Sequence, residues 1–339
     1  MGDGVLRDQA ERLRQLAQQA VRAESGANVA TGASPAPGSS GRRSRVLAVT
    51  SGKGGVGKTS LSVNLAIALG QSGLDVALID ADLGLANIDL MLGVLPKYDL
   101  TSIMSGERTV REVLVDGPAG VKLLAGGSGT ADLANLAPRE LERVLGVLAE
   151  MDGMFDVYVI DTGAGIGRQV MTFVAAADEV LLVTTPDPTA VADAYGLVKV
   201  LRASNGGSWK ATVRVVVTMA ESDAESLAVF RRLDQVSKRF LGLPLHYLGC
   251  VEKDALVARA VREQRPFSLG QPHSRPARRV RELAGNLVRE WEAGAASGTN
   301  GVLAKASGTA GAIVAGGRSG LAGAVQRMWR TLRGNVASG

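Results

Sequence analysis

From residue 45 onward the chain alternates short, uninterrupted apolar runs with stretches of helical spacing. The runs are Val46 to Thr50, Val76 to Ile79, Val121 to Leu124, Val157 to Ile160, Val180 to Thr184, Val213 to Thr218 and Leu245 to Val251. A strand with one wet face would alternate apolar and polar residues, whereas these runs are apolar throughout. They predict strands buried on both faces, as in a parallel sheet between two helical layers. The expected fold is therefore α/β: one doubly wound, mainly parallel sheet over residues 45–292, with a tail at each end.

The tails have patterns of their own. Between Val5 and Ala23 the apolar positions Leu6, Ala10, Leu13, Leu16 or Ala17, and Ala20 recur at helical spacing among charged residues and glutamines, so residues 1–24 are expected to form an amphipathic helix. Residues 25–44 are rich in Gly, Ser, Ala and Pro and carry too little apolar surface to offset their ordering entropy, which predicts a flexible tether. Residues 293–320 have the same character. From 321 to 334 a helical pattern returns, with Leu321, Val325, Met328, Trp329 and Leu332 on one face and Arg327, Arg330 and Arg333 on the other. Such a face suits weak, reversible insertion into an anionic membrane surface, strengthened when two tails are held together; Met and Trp at this spacing serve equally well in a helix packed on the protein's own core or on a partner.

Net charge narrows the partners only slightly. The formal value of +5 favours anions in general. The chain has a single cysteine, Cys250, in an apolar setting, and two isolated histidines, so its sequence carries neither an internal disulfide nor a metal-cluster spacing. Neither a signal-peptide pattern nor an apolar run of about 18 to 20 residues occurs, and the expected location is cytoplasmic, with peripheral attachment to the inner face of the membrane.

The chemistry begins at the end of the first strand. Gly52-Lys53-Gly54-Gly55-Val56-Gly57-Lys58-Thr59 fits G-x-x-x-x-G-K-T and sits between a strand and a helical stretch that starts at Ser60. Glycines let the backbone turn its N–H groups inward, and the helix N-terminus adds partial positive charge. Gly52, Gly54, Gly55, Val56, Gly57, Lys58, Thr59 and Ser60 are thus the expected cradle for ATP. Lys58 would contact the β and γ oxygens and Thr59 would ligate Mg2+. Lys53 lies inside the loop, where its own backbone occupies the near side of the phosphates, so its side chain must point elsewhere. Acidic residues follow two later strands, at Asp80-Ala81-Asp82 and at Asp161-Thr162-Gly163, where doubly wound sheets place their ligands.

With Lys53 included, the loop resembles the deviant Walker A motif of the MinD/ParA group. The resemblance implies that Lys53 reaches across an ATP-bound homodimer to the partner's phosphates and that hydrolysis, with Lys53, Lys58, Asp82 and Asp161 as catalytic groups, switches on when two copies meet. It further implies that Asp80 and Asp161 assist Thr59 around magnesium, that Asp82 orients the attacking water, and that the Gly163 N–H faces the γ-phosphate. One position departs from the group: where many relatives carry an adenine-reading Asn at the end of the sixth strand, this chain has Thr218.

Two segments, Thr185 to Tyr195 and Val261 to Phe267, resemble the flagellum-number regulators FlhG, FleN and YlxH. The N-terminal helix is more specific, since Asp8-Gln9-Ala10-Glu11-Arg12-Leu13-Arg14 is similar to their activator motif. That similarity implies that Asp8, Gln9, Ala10, Leu13 and Arg14 stimulate the signal-recognition-type GTPase FlhF, with flagellar switch proteins or a flagellar transcription activator as further partners. The alternative is a ParA/MinD-type ATPase for DNA partitioning or division-site placement, with Arg275, Arg278, Arg279 and Arg281 as its DNA grip. An iron-sulfur carrier would need paired cysteines, and a tyrosine-kinase relative would need a tyrosine-rich tail.

Overall fold

A computed structural model describes residues 44–82, 87–127, 138–204, 209, 211–296 and 320–336. The expected N-terminal helix with Asp8, Gln9, Ala10, Leu13 and Arg14, the first tether up to residue 43, and residues 297–319 lie outside the described residues.

In chain order the elements are β1 (Arg45–Ser51), α1 (Lys58–Gln71), β2 (Val76–Ala81), α2 (Ile88–Leu92), α3 (Leu100–Met104), α4 (Val110–Val113), β3 (Val115–Asp116), β4 (Lys122–Leu124), α5 (Pro138–Glu150), β5 (Val157–Ala164), α6 (Arg168–Ala176) and β6 (Glu179–Thr184). They continue with α7 (Pro188–Ala203), β7 (Thr212–Ala220), α8 (Asp223–Leu241), β8 (His246–Glu252), α9 (Ala255–Arg262), α10 (Phe267–Gly270), α11 (Arg275–Ala296) and α12 (Leu321–Val336). The sheet order is β3-β4-β2-β5-β1-β6-β7-β8, parallel except for the β3–β4 pair. Every apolar run produced a strand. The short antiparallel β3, two residues long and partly exposed, had no such run to announce it.

Successive residues of β1 feed opposite cores. Val46 and Ala48 join the layer built with α5, α6 and α7, whereas Leu47 and Val49 join the layer built with α1 and α11. Both faces of the strand are dry, which is why its sequence is apolar at each position rather than at every second one. The lower end of the sheet is pinned by Glu179, which accepts from Trp291 Nε1 at 2.6 Å and pairs with Arg45 and Arg214. This network ties the end of α11 to β1, β6 and β7.

The C-terminal segment departs from the expectation of a helix outside the ATPase domain with its apolar face free for a membrane. In α12, Leu321, Ala324 and Met328 are fully buried and Val325 nearly so, all within the core layer of α5 and α6. Arg327 donates from Nε to the Ala176 carbonyl at 2.7 Å and from Nη2 to Asp178 Oδ1 at 2.6 Å, and the Ala322 N–H donates to Asp152 Oδ1 at 2.9 Å. The physical reason is that Leu, Val and Met at this spacing lower their free energy against any dry surface, and the domain offers one. Nothing is described for the side chains of Trp329 and Leu332.

A phosphate cradle between two acidic switches

The loop between β1 and α1 sits at the centre of the sheet, beside β5 and β6. Gly55 and Gly57 take left-handed φ values of 79° and 83°, conformations that side chains with a Cβ resist. Gly52 is required for a different reason, because a Cβ there would lie 2.2 Å from the Asp193 carbonyl carbon of α7. Gly57 caps α1 without a side chain and the first turn holds no acid, so the first N–H groups of a buried helix point at the loop with no internal competitor.

Lys58, Thr59 and Asp161 meet beneath this loop. Lys58 Nζ lies 3.1 Å from Asp161 Oδ1 and 3.4 Å from Thr59 Oγ1. Ser62, one helical turn on from Lys58, donates to Asp161 Oδ1 at 2.7 Å. These contacts leave Asp161 Oδ2 buried without a hydrogen-bond partner, and the buried Ser60 hydroxyl is equally unmatched. A lone carboxylate oxygen beside a threonine hydroxyl is what an oxygen-seeking divalent cation requires, and Ser60 has an unused donor for a phosphate oxygen. The residues present therefore fit a magnesium nucleotide.

Asp80 is enclosed at the end of β2. Its carboxylate accepts backbone N–H bonds from Asp82 at 3.2 Å, Asn87 at 3.0 Å and Ile88 at 3.2 Å, so it shapes the loop that follows β2. Burial and the nearby Asp161 charge push its pKa up to about 7. Asp82 is also raised, first by burial and then by Asp161, with Lys58 opposing. Gly163 lies against it: a Cβ on Gly163 would come 3.5 Å from Asp82 Oδ1. The end of β5 thus meets the first residue after β2 in front of the cradle, where three carboxylates face one ammonium, and a cation would restore the balance.

Lys53 does turn away from the cradle. Its Nζ reaches Asp187 Oδ2 at 2.8 Å and Thr189 Oγ1 at 2.5 Å, on the turn that starts α7. The same Asp187 caps α7 by accepting from the Thr189 N–H, and the lysine and this cap hold its pKa down at about 2. Sequence reasoning singled out the segment holding Asp187 and Thr189 without pairing either with Lys53, and it overlooked Ser62, whose own position carries no mark. Thr218 has a structural role: its hydroxyl lies 2.6 Å from the Val56 carbonyl and 3.1 Å from the Thr184 carbonyl, bracing the phosphate loop from β7.

The arginines considered for a DNA grip are largely spoken for. Arg279 pairs with Glu252 and Asp223, Arg275 pairs with the buried Glu252, and Arg281 donates to the Pro272 carbonyl. Asp223, Cys250 and Glu252 converge closely enough to hold a metal, but those arginines already neutralise both carboxylates. Among the described residues no helix is long and apolar enough to cross a membrane.

Comparison with known proteins agrees with this geometry. A family model described as ParA, NUBPL iron-transfer P-loop NTPase, matches residues 42–288. The antiactivator FleN of Pseudomonas aeruginosa is 42% identical over 247 residues, 73% of this chain and 87% of FleN. The flagellum site-determining protein YlxH of Helicobacter pylori is 37% identical over 256 residues, 74% of this chain and 84% of YlxH. Among solved structures, the cell division ATPase MinD of Pyrococcus furiosus matches with a TM-score of 0.61 at 26% identity, over 73% of this chain and 99% of that one. MinD of Pyrococcus horikoshii, solved with Mg-ADP, shares the fold at a TM-score of 0.59 and 24% identity, over 72% of this chain and 96% of that one. With a phosphate loop, two acidic strand ends beside it and these relatives in agreement over the same residues, the chain belongs to the MinD/ParA family of P-loop ATPases, in the branch that contains FleN and YlxH.

Proposed function

We propose that this chain is an ATP-dependent dimerising switch that regulates the number or placement of flagella at a membrane. The observation that carries the reading is Lys53: a cation within the phosphate loop, directed out of its own cradle and half-exposed on Asp187 and Thr189. In that position it points away from its own phosphates, yet it can exchange a surface carboxylate for the phosphates of a second copy. Electrostatic stabilisation of the transferring phosphoryl group is the larger part of catalysis in such sites, so a site without the partner's Lys53 hydrolyses slowly.

Within one copy, Lys58 neutralises the β and γ oxygens, the N–H groups at the start of α1 orient them, and Asp82 aligns the water that attacks. Thr59 and Asp161, with Asp80 behind them, would hold magnesium, which when bound would supply charge neutralisation at the phosphates. The flagellar assignment rests on the likeness to the antiactivator FleN and the flagellum site-determining YlxH. It extends to three partners: FlhF, stimulated by Asp8, Gln9, Ala10, Leu13 and Arg14; a flagellar transcription activator or switch protein; and an anionic membrane surface met by Leu321, Val325, Met328, Trp329 and Leu332 once α12 leaves its groove. DNA binding is disfavoured by the internal pairing of Arg275 and Arg279.

The test is the specific ATPase rate as a function of protein concentration. Activation by dimerisation predicts a rate per chain that rises with concentration and then saturates, and a flat, low rate for Lys53→Ala. A rate per chain independent of concentration in both proteins would reject the switch.

A further inference from the structure

The cradle fixes one end of the nucleotide, and the strand order fixes where the other end goes. Asp80 and Asp82, at and just past the end of β2, and Asp161 in β5 lie on one side of β1, so the γ-phosphate points that way. The nucleoside must then leave over Val56 toward β6, β7 and β8. A cleft of about 450 Å³ lies there, lined by residues 53–56 of the phosphate loop and 185–187 after β6, and closed by Met219 and Glu221 at the end of β7, Glu225 of α8 and Lys253 after β8.

The side chains in that cleft are unsuited to telling purines apart. Thr218, buried at 6% exposure, has its hydroxyl engaged by the Val56 and Thr184 carbonyls and cannot read a base edge. Met219, with φ of 57° and 44% exposure, turns its thioether outward over Gly57, where it offers apolar contact and no hydrogen-bond donor. Glu225 is used locally, accepting the Glu221 N–H at 2.7 Å. Lys53 and Asp187 also line the cleft, at its phosphate-loop edge, where they pair with each other at 2.8 Å. That leaves Glu221 and Lys253, paired at 3.2 Å and exposed at 73% and 69%.

Resting on the nucleotide-switch reading above, we propose that the chain reads its base through Met219 and the Glu221–Lys253 pair, and therefore takes guanine nucleotides nearly as well as adenine nucleotides. Adenine presents an amino donor and ring-nitrogen acceptors, while guanine presents O6 and N7 acceptors and N–H donors. One carboxylate and one ammonium on long, rotatable, solvated stems can satisfy either set. Strict rejection arises when the wrong base strands a buried polar group, and here water satisfies whichever group the base does not use. Met219 favours the larger purine rings over pyrimidines through contact area.

The experiment is calorimetric titration of the full-length chain with MgADP, MgGDP, MgCDP and magnesium tripolyphosphate, repeated with Met219→Ala. The proposal expects Kd values for MgADP and MgGDP within about tenfold of each other, far from the roughly 10⁴-fold rejection of a buried hydrogen-bonding site, with MgCDP weaker than both. It also expects Met219→Ala to weaken both purines several-fold and to leave tripolyphosphate unchanged. An adenine preference larger than tenfold, or purine affinities unmoved by Met219→Ala, would overturn the base proposal while leaving the phosphate site intact. Failure of every ligand, tripolyphosphate included, would overturn both readings.

Discussion

Replacing Asp178 by Asn tests how the C-terminal helix is held. A docked α12 and a membrane-bound α12 are equally ordered, so the entropy of forming the helix cancels between them. Their apolar terms are also close. Docking buries Leu321, Val325 and Met328 almost completely, worth about 2 kcal/mol each, and a bilayer surface would cover the same face. The balance therefore falls to the polar latch, in which Arg327 Nη2 meets Asp178 Oδ1 at 2.6 Å with side-chain exposures of 26% and 17%. Burial holds the Asp178 pKa above the usual carboxylate value, with Arg327 acting against it. Asn keeps an oxygen for the Val46 N–H, which now donates to Asp178 Oδ2 at 3.0 Å, but loses the charge. A sheltered charge-assisted bond contributes about 1.5 kcal/mol, so D178N is expected to raise the undocked fraction roughly tenfold. Flotation of nucleotide-free protein with anionic vesicles should show about that increase in bound fraction. The deletion of residues 320–339 should abolish flotation in the Asp178→Asn background. Unchanged flotation of the Asp178→Asn protein would refute the idea that this latch opposes membrane binding, and flotation surviving the deletion would refute the assignment of α12.

Three further outcomes follow from the site. Gly52→Ala drives a methyl group into the α7 backbone at Asp193, and is expected to lower stability by roughly 3 kcal/mol or more and to abolish nucleotide binding, measured by thermal melting with and without MgATP. Asp80, pushed up to about 7, keeps a proton in the folded metal-free chain that the unfolded chain releases above about pH 4, so stability should fall as pH rises from about 4 to 7, and Asp80→Asn should flatten that part of a melting-versus-pH curve recorded in chelator. Cys250, buried and pushed up to about 12 by burial and Asp223, should resist alkylation at pH 8 until the protein is unfolded; rapid labelling of native protein would contradict its placement in β8.

Much of this architecture can be read from residue order because its determinants are local. An apolar run must become a buried strand, and G-x-x-x-x-G-K-T after a strand has one geometry. The parts that escaped reading depend on contacts between distant segments. Lys53 and Asp187 are 134 positions apart, and Thr218 braces Val56 across 162, so no window along the chain contains either pair. Asp80 shows a subtler limit: its position straight after an apolar run announces an acidic group at the site, but its capture by three backbone N–H groups depends on how the next loop folds back. The α12 helix shows a third. Its 3.6-residue period states that one face must be covered, and the same stripe of Leu, Val and Met satisfies a lipid surface or the groove beside α5 and α6. Amphipathicity names the face and leaves its occupant open.

The most direct measurement is the mass in solution, by light scattering on a sizing column, of wild-type chain and Lys53→Ala in a saturating non-hydrolysable ATP analogue with magnesium. The account predicts twice the single-chain mass for wild type and the single-chain mass for Lys53→Ala, with analogue affinity preserved in both. Single chains for wild type under these conditions, or a full dimer without Lys53, would contradict it.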